Sequence, residues 1–214
     1  MNCDKLQDRL HFALGLAARQ IGHSADLFRP TGSFNPIGTA NRILRLTAWF
    51  MPAKGNDGRT NVYGEPLWHG IFDASYTRPG DYLNMGGALF FVASQEPLLP
   101  ILCVKCNRII SVARPSLQSN AASNSYGGYT SGSSTNVVEG WPASVLGESR
   151  SGASAADLPT DQIVPYWDIL LPVVRGIVFS PGDFITDDLL RTAVIASSEL
   201  TSLGWRISAK MAVT

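Results

Sequence analysis

Charge is scarce in this chain. Only 16% of its 214 residues are charged, 17 basic against 17 acidic, so the formal net charge is zero. With 45% hydrophobic residues, that excludes an intrinsically disordered chain. The basic excess that drives tight, salt-sensitive nucleic-acid binding is missing too. Cysteine is just as sparse: Cys3, Cys103 and Cys106 cannot build a disulfide framework in a chain this long. No apolar run reaches the roughly 18 residues a membrane-crossing helix needs. The first residues lack the charged head and apolar core of a secretory leader. A soluble protein made in a cytosol, with no membrane partner, is expected.

The signatures of catalysis are also lacking. No nucleophile elbow, P-loop, dinucleotide fingerprint or His-Glu-x-x-His occurs. Cys103-Val104-Lys105-Cys106 has metal-like spacing, but Cys3, His11, His23 and His69 are not spaced to complete a zinc site. The pair falls in a predicted strand, where a three-residue step sends the thiols to opposite faces. Cys106 is assigned to the core side, with Leu102, Val104 and Ile110. His69 beside Trp68 reads as a packed or surface histidine. A cell-wall hydrolase using Asp73, Asp81 or Glu96 has no paired-carboxylate signature behind it. The expectation is a protein that is not an enzyme and has no catalytic residue, cofactor or metal.

What is present is turn-forming and β-forming. Twenty Gly and 13 Pro among few charges predict a mainly β protein. Leu6, Leu10, Ala13, Leu14, Ala17 and Ile21 recur at three- and four-residue steps, which predicts an N-terminal amphipathic helix stopped by Gly22. Residues 23–64 are rich in Pro, Gly and Asn and carry one predicted strand, 42–50. Strands follow at 67–72, 82–83, 89–93 and a long one at 99–112. Residues 116–136 are Ser, Gly, Asn and Tyr with little to bury, hence a linker or extended arm, and 147–156 form a second such patch. Beyond them come 167–171, 192–196 and the alternating run 204–213.

The two halves echo each other. Pro79-Gly80-Asp81-Tyr82-Leu83 answers Pro181-Gly182-Asp183-Phe184-Ile185, Gly70-Ile71-Phe72 answers Gly176-Ile177-Val178, and Val92-Ala93 answers Val194-Ile195. Proline fixes φ at the second position of a tight turn, and glycine supplies the positive φ of a type II turn at the next. The aspartate then bonds the following backbone amides. Pro79, Gly80, Asp81, Pro181, Gly182 and Asp183 are therefore assigned as structural turn motifs. The architecture expected is a helix (1–22), a first small β-barrel or sandwich module (23–115), the arm (116–136) and a related second module (137–214).

Charge is uneven along this plan. Through residue 60, eight basic side chains face four acids, whereas beyond residue 138 nine acids face five bases. Such poles favour head-to-tail contact between copies.

The C-terminal half resembles the head-closure and head-to-tail joining proteins of tailed bacteriophages. The residues that carry the resemblance are Trp141-Pro142-Ala143-Ser144-Val145-Leu146, a loop over 147–160, the strand 167–171, Pro181-Gly182-Asp183-Phe184-Ile185 and the strands 192–196 and 204–213. Pro66-Leu67-Trp68-His69-Gly70 and the segment 97–100 are similar to uncharacterised structural proteins of proteobacterial prophages. The resemblance implies a virion protein of the neck or proximal tail, assembled in the host cytoplasm. It would form a ring of about six or twelve copies on the portal axis, with portal, adaptor or tail proteins as partners. DNA would be met only in passage through a channel. The arm and helix would reach neighbouring subunits. The alternative reading is a receptor- or carbohydrate-binding module of the tail, using Tyr126, Tyr129 and Trp141 around one groove.

Overall fold

The structure, a computed structural model, describes residues 3–53, 64–115, 134–148 and 165–211. The sequence loop at 54–61, Tyr126 and Tyr129, and nearly all of the 116–136 arm and the 147–156 patch lie outside these residues.

Among the described residues, twelve antiparallel strands close into two barrels of six. After the helix α1 (Cys3–Ile21), the first barrel comprises β1 (His23–Phe28), β2 (Arg42–Pro52), β3 (Leu67–Ile71), β4 (Tyr82–Met85), β5 (Ala88–Ser94) and β6 (Ile101–Cys106). Its spatial order is β1-β2-β3-β6-β5-β4, closed by β1 on β4. The second comprises β7 (Arg108–Pro115), β8 (Ser134–Glu148), β9 (Tyr166–Leu171), β10 (Phe184–Asp187), β11 (Thr192–Thr201) and β12 (Gly204–Met211). Its order is β7-β8-β9-β12-β11-β10, closed by β10 on β7. Raising each strand number by six turns the first barrel into the second. The protein is thus mainly β, with two related small barrels and an N-terminal helix.

The repeat extends to irregularities. A bulge interrupts β5 between Val92 and Ser94, and another interrupts β11 between Ile195 and Ser197. This shared bulge aligns Val92 with Ile195, one position from the sequence match to Val194. The shift arises in the hairpin turn, where Met85 pairs with Ala88 in the first barrel but Thr186 pairs with Thr192 in the second. The match of Gly70-Ile71-Phe72 to Gly176-Ile177-Val178 does not survive. Gly70 and Ile71 end β3, whereas Gly176 lies between β9 and β10; Phe72 is buried and Val178 exposed. The strand equivalent to β3 is β9.

The boundary between modules also moves. The long strand read over 99–112 breaks at Asn107, and β7 belongs to the second barrel. Residues 108–115 therefore leave the first module. Residues 116–133 connect β7 to β8 within one barrel, and 134–136 already belong to β8. The strand β1 was not anticipated in the Pro/Gly/Asn-rich stretch; six residues, half of them polar, gave too weak an alternation.

The barrels pack on one another. Leu83, Phe90, Val92 and Cys103 point into the first barrel with Leu27, Ala48 and Phe50. Their neighbours Tyr82, Phe91 and Val104 face the other way and join a core with Trp141, Ile110, Trp167, Ile207 and other residues of the second barrel. That double burial explains the unbroken apolar run of β5, since a strand covered on both faces has no polar side to show.

Helix α1 lies on β2, β3 and the 3₁₀ turn Ala74–Tyr76. Its fully buried position is Ala18, with Leu14 packed on the first barrel's core. The close approach comes at Gly15, where a Cβ would stand 3.2 Å from that of Asp73. The buried stripe is therefore rotated from the one read in the sequence. Ala13, Ala17 and Ile21 face outward, and Phe12 and Leu16 are exposed.

Candidate functional site

Both Pro-Gly-Asp motifs build the same corner. Gly80 and Gly182 have φ of 94° and 91°, and Asp81 and Asp183 donate their amides to Arg78 and Ser180, three residues back, at 3.1 Å each. Each turn feeds a hairpin in which Val92 and Ile195 donate their amides to the aspartate carbonyls, both at 2.9 Å.

The aspartates act differently from the sequence expectation. Rather than capping amides that follow, each carboxylate reaches back. Asp81 Oδ2 accepts from the amide of Arg78 at 2.9 Å, and Asp183 Oδ2 from that of Ser180 at 2.9 Å. The rest of each carboxylate is held by an arginine at the end of the first strand of its own barrel. Arg29 Nε and Nη2 lie 2.9 and 2.7 Å from Asp81, and Arg114 Nε and Nη2 both lie 2.8 Å from Asp183. The same Nη2 atoms donate to the carbonyls of Tyr76 and Val178. These bidentate bonds to a carboxylate raise the pKa of both guanidinium groups. With side chains only 3% accessible, Asp81 and Asp183 are held within their corners by these bonds.

The other residues considered for chemistry are dispersed. Asp73 caps the 3₁₀ turn by accepting from the amide of Ser75, and Glu96 is exposed between β5 and β6. Among the described residues, His69 Nδ1 is buried without a hydrogen-bond partner. Cys103 and Cys106 do face opposite ways: Cys106 packs on the joint core with Leu102, Val104 and Ile110, the side the sequence indicates, and Cys103 is buried inside the first barrel, so both faces of β6 are covered. Burial pushes both thiols well above the usual range, which makes them poor nucleophiles and poor metal ligands. Among the described residues no group of His, Cys, Asp and Glu could hold a metal ion, and no helix is long and apolar enough to cross a membrane. Trp141, at 1% exposure, donates its indole N–H to the carbonyl of Ser33 and stacks edge-on to Tyr82. It forms part of the seam between barrels and leaves almost none of its ring on the surface.

Between the barrels a cleft of about 310 Å³ is walled by Trp141, Val173 and the Pro79-Gly80 corner, with Arg78 and Arg175 exposed at its edge. Two other surfaces escaped the sequence reading. One is the β10–β11 turn, whose tip carries Leu189 and Leu190 at 55% and 83% exposure. The other is a groove of about 470 Å³ between α1 and β2, lined by Phe12, Leu16, Leu44, Leu46 and Tyr76. A dileucine in a turn is a legible anomaly, since that position favours Gly, Asn or Asp. The groove had no sequence signal, because it depends on which helix face docks.

No family model, curated protein or solved structure matches this chain.

Proposed function

We propose that the protein is a structural virion component of a tailed bacteriophage. It works as a ring on the portal axis, in the neck or proximal tail, through contacts with its own copies and with portal, adaptor or tail proteins.

The observation that carries this reading is the pairing of closed barrels with exposed apolar side chains. Closure leaves none of the described barrel strands with a free edge, which blocks association by strand addition at them. Yet Phe12, Leu16, Leu189, Leu190 and Val178 stand in solvent. Phe12 with Leu16, one helical turn apart, and Leu189 with Leu190 stand as exposed apolar pairs, which contacts with other copies or partners would cover. Zero net charge suits a channel that DNA crosses without adhering. The run from Trp141 to Met211, which carries the resemblance to head-closure proteins, forms most of one barrel with its hairpin after the Gly-Asp corner. The carbohydrate-binding alternative draws no support from Trp141, which is buried.

Deleting the coding sequence from the phage that carries it tests the proposal. Filled heads and separate tails that fail to join are expected. Joined, infectious particles of normal yield would contradict it.

A further inference from the structure

The duplication supplies an internal control for one residue of the cleft between the barrels. The two corners read Arg78-Pro79-Gly80-Asp81 and Ser180-Pro181-Gly182-Asp183. In each, the backbone of the first residue serves the turn: its amide donates to the aspartate carboxylate at 2.9 Å, and its carbonyl accepts from the aspartate amide at 3.1 Å. Serine meets those demands as well as arginine does, so the turn does not require the Arg78 guanidinium. That side chain is exposed and makes no hydrogen bond or ion pair among the described residues.

The same cleft of about 310 Å³ is lined by two further arginines, Arg29 and Arg175. Arg175 lies between β9 and β10, exposed next to the buried Val174, and its guanidinium is likewise without a partner among the described residues. Arg29 holds Asp81 through Nε and Nη2, which leaves its Nη1. Asp81 is the sole acid lining the cleft among the described residues, and its carboxylate is already taken by Arg29 and by the Arg78 amide. The walls stand close: a Cβ on Gly80 would lie 4.0 Å from the Val173 carbonyl oxygen. Two uncompensated guanidinium charges therefore border one recess, in a chain whose charges otherwise balance. Like charges around a recess repel each other, a cost that a bound anion removes.

We propose that this cleft binds a small phosphorylated molecule by its terminal phosphate. Arg78 and Arg175 take the phosphate oxygens, Arg29 adds the donors of its remaining Nη1, and Pro79 and Val173 offer apolar surface to the ester group. A phosphate monoester carries about two negative charges at neutral pH and three acceptor oxygens, which matches two unpaired guanidinium forks. A carboxylate satisfies only one of them. A phosphodiester of nucleic acid carries a single charge, and the chain lacks the basic excess that would draw a duplex to it. The site lies within one chain and stands apart from the ring reading.

Isothermal titration calorimetry of the full chain tests it, in a phosphate-free buffer of fixed ionic strength. Inorganic phosphate, glycerol 3-phosphate and a short DNA duplex serve as separate titrants. Saturable binding of both phosphate compounds is expected. Arg78→Ser installs the residue that the second corner uses, so its melting temperature should match the wild type. It should nevertheless weaken binding by about tenfold, the weight of one charge-assisted hydrogen bond. Arg175→Ser should do the same, while Arg19→Ser, an exposed position outside the cleft, should leave the affinity unchanged.

A wild type that binds neither phosphate compound would overturn the proposal. So would binding of the duplex alone, or equal weakening by all three substitutions, which would mark a diffuse effect of surface charge. Each of these results leaves the ring reading standing, because that reading is tested by mass.

Discussion

Asn107 grips the backbone of Val145 from both sides. Its side-chain amide donates to the Val145 carbonyl at 2.8 Å, and its side-chain oxygen accepts from the Val145 amide at 2.8 Å. Its own amide donates to the carbonyl of Ala143 at 3.0 Å. Asn107 is the single residue between the last strand of one barrel and the first of the next. Its side chain fills two places in the ladder at the point where the chain changes barrel.

Replacing Asn107 with alanine should therefore destabilise the fold by about 2 kcal/mol, because Val145 would keep a buried amide and carbonyl without partners. Chemical denaturation measures the loss. Asn107→Asp should also be harmful, since a carboxylate cannot donate to the Val145 carbonyl. Wild-type stability in the alanine variant would show that the clasp is incidental.

The two arginine–aspartate corners predict matched behaviour. Arg29→Ala and Arg114→Ala each strand an aspartate that is almost inaccessible, at a cost of about 3 kcal/mol for a buried pair and less for guanidinium groups as exposed as these. Lysine in either place should recover only part, since it lacks the bidentate fork. Thermal melts of the four variants should group by substitution and not by barrel.

Acid should act on the β10–β11 turn late. Burial alone would raise the Asp187 carboxyl, but the bonds from Arg191 and from the amides of Arg191 and Leu189 outweigh it and hold the pKa below its ordinary 3.8. A depressed folded pKa stabilises above the unfolded value and is lost as pH falls through the folded one. The amide resonances of Leu189 and Arg191 should therefore titrate together, with a midpoint below 3.8. A midpoint at or above that value would mean that the cage does not form.

Alkali should expose the joint core. Burial raises the pKa of Tyr82 well above 10.0, and its hydroxyl donates to the Pro142 carbonyl of the other barrel at 2.8 Å. The unfolded chain ionises at the ordinary value, so the stabilisation is complete below about pH 10 and declines above it. Cys103 and Cys106, also raised by burial, should resist thiol reagents until that transition. Rapid labelling of both at neutral pH would contradict the packing of β6 between two cores.

Much of the fold was legible because its rules are local. Pro79-Gly80 and Pro181-Gly182 impose their turns through φ alone, and the alternation of 204–213 needs only one buried face. Less was legible where a second barrel intervenes. Nothing local marks 99–112 as two strands, since Asn107 breaks the run only by bonding Val145, 38 residues on. The partners of Asp81 and Asp183, Arg29 and Arg114, lie 52 and 69 residues away, so the corners were visible but their clamps were not. Helix α1 shows the same limit. Its period was plain, but the stripe it buries follows from the fit of Gly15 against Asp73, which leaves Phe12 and Leu16 outside.

The most direct test of the central claim is the mass of the purified protein by light scattering, alone and with the portal protein of the same genome. The account predicts a closed ring of about six or twelve copies, or co-elution with the portal. A monomer that neither self-associates nor binds the portal would contradict it.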